Sequence, residues 1–327
     1  MMKHRHPVLL SCLLAAFVLF PAHASHARDQ HVIVCGAGGE AAYEERFQDW
    51  STRLRDVLLQ RCGVAQEDLH YLGTWAEGEK NALETVRGVL AAACAELGES
   101  GTLYLYLIGH GSAQRNEAKF ILPGPDLEVS ALLAVLQSAP PPALVLVNGA
   151  SSSAAFINAL SGAARTIVTS TNSVEERNAT EFMEYFIGAI ESGDGDRNQD
   201  GQISVLEAAD QAATAAQSWY ESQGLIVSEH ALIDDNGDRL GTRLPLAGAP
   251  AAASDDGTLA AALLLQPKIY SAAVPKEAIE AYRAAVESVE VWKAQKATQD
   301  EDTYYTELEK RLLVMARAGR VVRRAQE

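Results

Sequence analysis

The feature that most constrains this chain is a set of short apolar runs that alternate with helical patterns, most of which end in glycine or a small polar residue. His31–Cys35 closes on Gly36-Ala37-Gly38-Gly39, and Leu69–Leu72 closes on Gly73. Leu103–Ile108, in which Leu and Tyr alternate, stops at Gly109-His110-Gly111; Leu144–Val147 stops at Asn148-Gly149, and Thr166–Thr169 completes the set. Between them lie helical stripes through Phe47, Trp50, Leu54, Val57, Leu58 and Leu59, then over Lys80–Leu97, Leu127–Leu136 and Ala154–Leu160. Lys119–Leu122 has the pattern of a short extra strand. Strands that read as continuous apolar runs are covered on both faces, and helices of this length between them provide parallel crossovers. The expected fold is α/β: a doubly wound, mostly parallel sheet with helices on both faces, over residues 30–190.

The N-terminus predicts export. Lys3 and Arg5 precede an apolar stretch, Pro7–Phe20, and Ala22-His23-Ala24 offers a small-x-small cleavage site, so residues 1–24 fit a signal peptide. The stretch is too short to span a bilayer comfortably, and no later segment is long enough, so the mature chain is expected to lack a transmembrane segment. Cys12 sits inside the apolar core instead of following it, which argues against lipid anchoring. The expected location is the periplasm or the medium. Removal of Cys12 leaves Cys35, Cys62 and Cys94, which allow at most one internal disulfide; Cys62 and Cys94, each near a helix end, are the favoured pair.

A formal charge of -16 in 327 residues excludes nucleic acid as the main partner and suits attraction of cations. One segment has the spacing to hold a cation. From Asp196 the chain reads Asp-Arg-Asn-Gln-Asp-Gly-Gln-Ile-Ser-Val-Leu-Glu. Oxygen donors fall on Asp196, Asn198, Asp200 and Ser204, with Gln202 supplying a backbone carbonyl. Gly201 stands at the sharp turn, Ile203 is the apolar anchor, and Glu207 can close the site with both carboxylate oxygens. Helical patterns over Glu181–Ile190 and Val205–Tyr220 flank the loop, so an EF-hand helix-loop-helix binding Ca²⁺ is expected within 179–245. Asp234-Asp235-Asn236-Gly237-Asp238 lacks a closing Glu and reads as an Asn-Gly turn.

Residues 246–257, rich in small side chains, form a linker, and 275–327 form an antiparallel helical hairpin. In its first helix, Lys276–Lys296, the apolar positions are Ile279, Tyr282, Val286 and Val289. In its second, Thr303–Arg324, the residues Tyr305, Leu308, Leu312, Met315 and Val322 follow alternating three- and four-residue steps, interrupted at Gly319. That is a coiled-coil seam, expected to close the hairpin on itself, to self-associate through 275–324, or to recruit a helical partner.

In doubly wound sheets ligands bind at the carboxyl ends of neighbouring strands. His110 and Asn148–Ser153 should therefore face one another across a cleft, where a His beside a hydroxyl or thiol would be a base–nucleophile pair. A His that merely caps its strand is the alternative.

These residues resemble the legumain-type peptidases, relatives of the caspases and gingipains. His31-Val-Ile-Val-Cys35-Gly with Tyr43 and Arg46-x-Gln48 is similar to their opening, and Tyr104–Ile108 with Gly109-His110-Gly111-Ser112 to their histidine motif. Asn148-Gly149-Ala150-Ser151-Ser152-Ser153-Ala154-Ala155-Phe156 resembles the nucleophile segment, and Thr166–Thr171 the following strand. The resemblance implies a caspase-like sheet, His110 as base and Arg46 in a substrate pocket. It also puts Ala150 where the family carries its cysteine, and Asn148 where it carries an acidic residue, so an Asn-directed specificity does not carry over. Ser151, Ser152 and Ser153 lie one to three residues out of register and read better as helix N-caps, and Cys35 as a core thiol. A dinucleotide fingerprint at Gly36–Ala41 lacks its acidic partner, because the second strand ends His70-Tyr71-Leu72-Gly73. Two functions remain: a calcium-binding pseudopeptidase that takes a peptide or protein ligand in its cleft, or an active peptidase pairing His110 with a nearby serine.

Overall fold

The computed structural model describes residues 28–76, 78–97, 100–114, 117–246, 255–266, 274–293, 295–296 and 299–326. The expected signal peptide (1–24) and most of the expected linker (247–254) lie outside these residues.

The chain opens with β1 (Gln30–Cys35), α1 (Ala41–Gln60), β2 (Leu69–Leu72), α2 (Ala82–Glu96) and β3 (Thr102–Ile108). A small antiparallel sheet follows, made of β4 (Gly111–Gln114), β5 (Glu117–Phe120) and β6 (Leu127–Glu128). Next come α3 (Val129–Ser138), β7 (Ala143–Asn148), α4 (Ala155–Leu160), β8 (Arg165–Thr169) and α5 (Phe182–Ser192). Then β9 (Ile203–Ser204) leads into α6 (Val205–Ser222), and β10 (Leu232–Asp234) and β11 (Thr242–Arg243) follow. The last elements are α7 (Thr258–Ala262), β12 (Leu264–Gln266), α8 (Lys276–Lys293) and α9 (Glu301–Gln326).

The main sheet has seven strands among the described residues, in the order β11-β10-β8-β7-β3-β1-β2. From β2 through β8 all neighbours are parallel. β1 is buried along its whole length, so alternate residues must satisfy two cores. Ile33 and Cys35 join Tyr104, Tyr106, Val145 and Val147 on the face covered by α1, α5 and α6. Val32 and Val34 join Leu103, Leu105, Leu144 and Leu146 on the face covered by α2, α3 and α4. The chain moves outward from β1 to β2 and then returns past β1 to β3. Right-handed crossovers in opposite directions put α1 and α2 on opposite faces.

That division overturns the expected Cys62–Cys94 pair. Cys62 follows α1 in one core, Cys94 lies on α2 against the other, and both are free thiols, as is buried Cys35. The sheet also does not end at Thr169. β10 pairs antiparallel with β8 and β11 with β10, so part of segment 179–245 extends the same sheet. At three and two residues these strands are too short to leave a readable period.

α8 and α9 form the antiparallel hairpin, but its seam is rotated from the expected one. Tyr304, Leu308, Arg311, Met315, Ala318 and Val322 turn inward, again at four- and three-residue steps, whereas Tyr305 and Leu312 are exposed. Trp292 of α8 sets this rotation: its ring stacks on Tyr304 at 6.3 Å and its indole N–H donates to the Tyr304 carbonyl at 3.0 Å. The guanidinium of Arg311 lies 4.9 Å over the same indole. Gly319 leaves room for Tyr282, whose ring carbon would be 2.9 Å from a Cβ there. No helix among the described residues is long and apolar enough to cross a membrane.

Burial of β1 carries a titration cost. His31 stacks on Tyr104 at 4.5 Å, and burial pushes its imidazole down from 6.5 to about 3. The unfolded chain therefore binds a proton that the native state refuses between these values, and stability falls as pH drops through that window. Thermal melting at stepped pH should show His31→Phe losing less stability than the parent between pH 6.5 and 3. Equal losses would show that His31 is not the group responsible.

Candidate functional site

The site is built where the strand order reverses. Gly36 donates its N–H to the Ile108 carbonyl at 2.8 Å, and Gly149 donates to Leu107 at 3.0 Å, which brings the carboxyl ends of β1, β3 and β7 side by side. Such a reversal opens a crevice, because the helices on its two sides leave in opposite directions. Glycine is required at two close approaches. A Cβ on Gly111 would come 2.1 Å from the Ser151 carbonyl oxygen, and one on Gly149 would come 2.0 Å from the Met183 side chain.

His110 is half-buried at these strand ends. Its ring meets Tyr43 edge-on at 4.6 Å and Phe47 at 4.8 Å, both from α1. Burial lowers its pKa below the ordinary imidazole value, and the Arg46 charge adds to that; a hydrogen bond to the Gly38 backbone and the Glu40 charge oppose it. The ring is thus poised neutral at neutral pH, as a general base must be.

Arg46, one helical turn after Tyr43, lies 4.7 Å over the Trp50 ring and 5.2 Å over the Tyr43 ring. Its Nη1 donates to Glu181 Oε1 at 2.9 Å, while Nε and Nη2 are buried without a hydrogen-bond partner among the described residues. Unmatched charged donors are costly inside a protein, and the Tyr43 and Trp50 rings beneath the guanidinium offset part of that cost. Glu181 precedes α5, and both carboxylate oxygens of Glu229 accept its backbone N–H at 3.0 Å. Glu229 is buried, and desolvation raises its carboxyl to about 8, with nearby Glu181 and Glu176 pushing the same way. Desolvation also raises Glu181, against the pull of Arg46.

The residues expected at the nucleophile position are placed differently. Ala150 is 2% exposed, and its methyl belongs to the core on the α2–α4 face, away from the α1 side chains that hold His110. Its N–H donates to Asn148 Oδ1 at 3.0 Å; Asn148 Nδ2 is buried and has no hydrogen-bond partner among the described residues. The three serines do not cap α4, whose N-cap is Ala154 without a side-chain bond. Ser151 donates to the Gly111 carbonyl at 2.9 Å, Ser152 to the Val174 carbonyl at 3.0 Å, and Ser153 lies 3.0 Å from the Thr171 hydroxyl. Each hydroxyl locks a turn to a neighbouring segment, and none of them is hydrogen-bonded to His110 among the described residues.

The acidic loop lies at the other end of α5. Asp196 accepts the N–H groups of Asp200 and Gly201 at 3.0 and 2.9 Å, and Asn198 accepts Asp200 at 2.8 Å. Asp200 in turn accepts Gln202 at 2.7 Å, and Gly201 takes φ +85°, where glycine is favoured. Ile203 is buried, and β9 pairs with β12, which fastens the loop's exit. Glu207 accepts the N–H of Ser204 at 3.0 Å and its hydroxyl at 2.9 Å, completing a capping box at the start of α6. Among the described residues no group of three or more His, Cys, Asp or Glu side chains is gathered to hold a metal ion. The expected donors Asp196, Asn198, Asp200, Ser204 and Glu207 are engaged in hydrogen bonds within the loop and at the start of α6.

No protein-family model matches the chain, and no curated protein sequence matches it. Glu181 and Glu229 were missed by sequence reasoning. Glu181 reads as an ordinary first-turn acid, and Glu229 stands in a loop with no periodic signal.

Between pH 4.5 and about 8 the native state holds a proton on Glu229 that the unfolded chain has released. Stability from this group therefore declines as pH rises through that range. Glu229→Gln keeps an acceptor for the α5 N-terminus and removes the titration. Its melting temperature should gain on the parent as pH rises from 4.5 to 8; a constant difference would assign the slope elsewhere.

Proposed function

We propose that this chain is an exported, calcium-binding pseudopeptidase: a caspase- or legumain-like sheet that keeps a peptide-binding cleft and has lost the nucleophile. The observation that carries this is the pairing of a vacant nucleophile position with an unspent binding group. Ala150 offers a buried methyl, while Arg46 keeps two buried donors without partners among the described residues. Hydrolysis of a peptide needs a thiolate or alkoxide beside the imidazole and donors for the oxyanion. His110 could serve as base, but Ser151, Ser152 and Ser153 are committed to other partners. A ligand rich in acceptors, such as a peptide carbonyl or carboxylate, matches Arg46.

Incubation of the purified protein with a diverse peptide library, with and without calcium, should give binding without turnover, and Arg46→Ala should weaken that binding. Turnover abolished by His110→Ala would overturn the proposal. Loss of that turnover with one of Ser151, Ser152 or Ser153 would identify the replacement nucleophile.

The loop is read as an EF-hand in which Asp196, Asn198, Asp200, Ser204, Glu207 and the Gln202 carbonyl hold Ca²⁺. Glu207 would exchange its Ser204 contacts for the ion. Export, directed by residues 1–24, would place the loop in millimolar calcium, where even a weak site stays filled. Calorimetry should show one site of micromolar to millimolar affinity, weakened roughly tenfold or more by Glu207→Gln. Absence of both binding heat and a calcium-dependent melting shift would remove the calcium assignment.

A further inference from the structure

The outward face of α9 is built differently from an ordinary solvated helix. Its inward stripe faces α8, yet Tyr305, Leu312, Leu313, Val314 and Val321 on the remaining surface are 40–56% exposed. Leu312, Leu313 and Val314 are consecutive, so at about 100° per residue they form an apolar belt around the outer half of the helix. Single exposed apolar residues are common on surfaces, but a belt at mid-helix is not.

Charge divides at the same point. Glu301, Asp302 and Glu309 precede Leu313, and Arg317, Arg320 and Arg324 follow it. Lys310 and Arg311 are the exceptions: Lys310 is engaged by Glu307 of its own helix, and Arg311 turns inward over the Trp292 ring. A helix acidic in its first half and basic in its second is complementary to a second copy only when the two run antiparallel. Parallel alignment would set acid against acid.

We propose that α9 is a homodimerisation helix, two copies packing antiparallel through their outward faces with the two-fold axis at Leu313. Residues equally far before and after Leu313 then lie level with one another. Glu309 comes level with Arg317 of the second copy and Asp302 with its Arg324, while the Leu313 side chains meet at the axis. The contact is isologous, so each ion pair occurs twice. Two hairpins joined this way form an antiparallel four-helix bundle whose central layer is Leu312–Val314. The cleft and the acidic loop take no part, so the inference goes beyond the pseudopeptidase reading and stands or falls independently of it.

Size-exclusion chromatography with light scattering on the purified protein should show a dimer across the micromolar range, loosened by added salt. Leu313→Asp should give a monomer with unchanged helix content, because the side chain is half-exposed in the single chain. Glu309→Arg and Arg317→Glu should each weaken association by about tenfold or more. The double variant should restore it, because each new Arg again faces a new Glu. A monomer throughout the range, a dimer indifferent to Leu313→Asp, or a double variant no tighter than the single ones would overturn the proposal.

Discussion

Everything in the cleft follows from β1 being buried on both faces. A central strand with two cores forces the helices to divide between the faces. The return from β2 to β3 past β1 then opens a gap at the carboxyl ends that neither α1 nor α2 covers. The sequence meets this gap with Gly36, Gly109, Gly111 and Gly149, which let adjacent chain ends approach more closely than side chains would allow. Once that backbone is fixed, α1 supplies the walls: Tyr43, Phe47 and Trp50 hold His110 and Arg46 against the opening.

The same two-faced sheet bears on Ala150. Along β7, Leu144 and Leu146 point to the α2–α4 core while Val145 and Val147 point to the α1–α5 core. Ala150, just beyond the strand, belongs to the first core, and His110 is held by residues of the second. A methyl there fills core volume and leaves no cavity. The position is therefore a packing site in this chain.

Much of this was legible in the residues because apolar runs buried on two faces and amphipathic helices leave strong patterns. The central strands and main helices fell within a few residues of their expected bounds, and His110 lay at a strand end beside the Asn148 segment. The misses share one cause, which is dependence on contacts remote in sequence. β10 and β11 are too short to carry a period. Cys62 and Cys94 each sit near a helix end, and only the handedness of the crossovers separates them. The α9 seam offered two registers that differ by one residue at alternate positions, and Trp292, a dozen residues before Tyr304, decides between them. Glu229 owes its role to meeting the first turn of α5 across 48 residues of chain.

The two proposed sites are joined by that helix. α5 has 11 residues and is about 16 Å long. Its amino end carries Glu181, bound to Arg46 in the cleft, and its carboxyl end runs through Gly193 into Asp196. The loop then turns the chain into α6, which packs back along α5 and carries in its last turn Tyr220, whose phenolic oxygen accepts a hydrogen bond from Ser228 beside Glu229. The far ends of both helices therefore meet again at the cleft wall. The loop that joins them is fastened by the β9–β12 bridge and by the hydrogen bonds from Asp196 to Glu207. A cation held there, as proposed, would stiffen this connection. On that geometry the loop belongs to the cleft's scaffold, and its effect on ligand binding would be transmitted through α5 and α6.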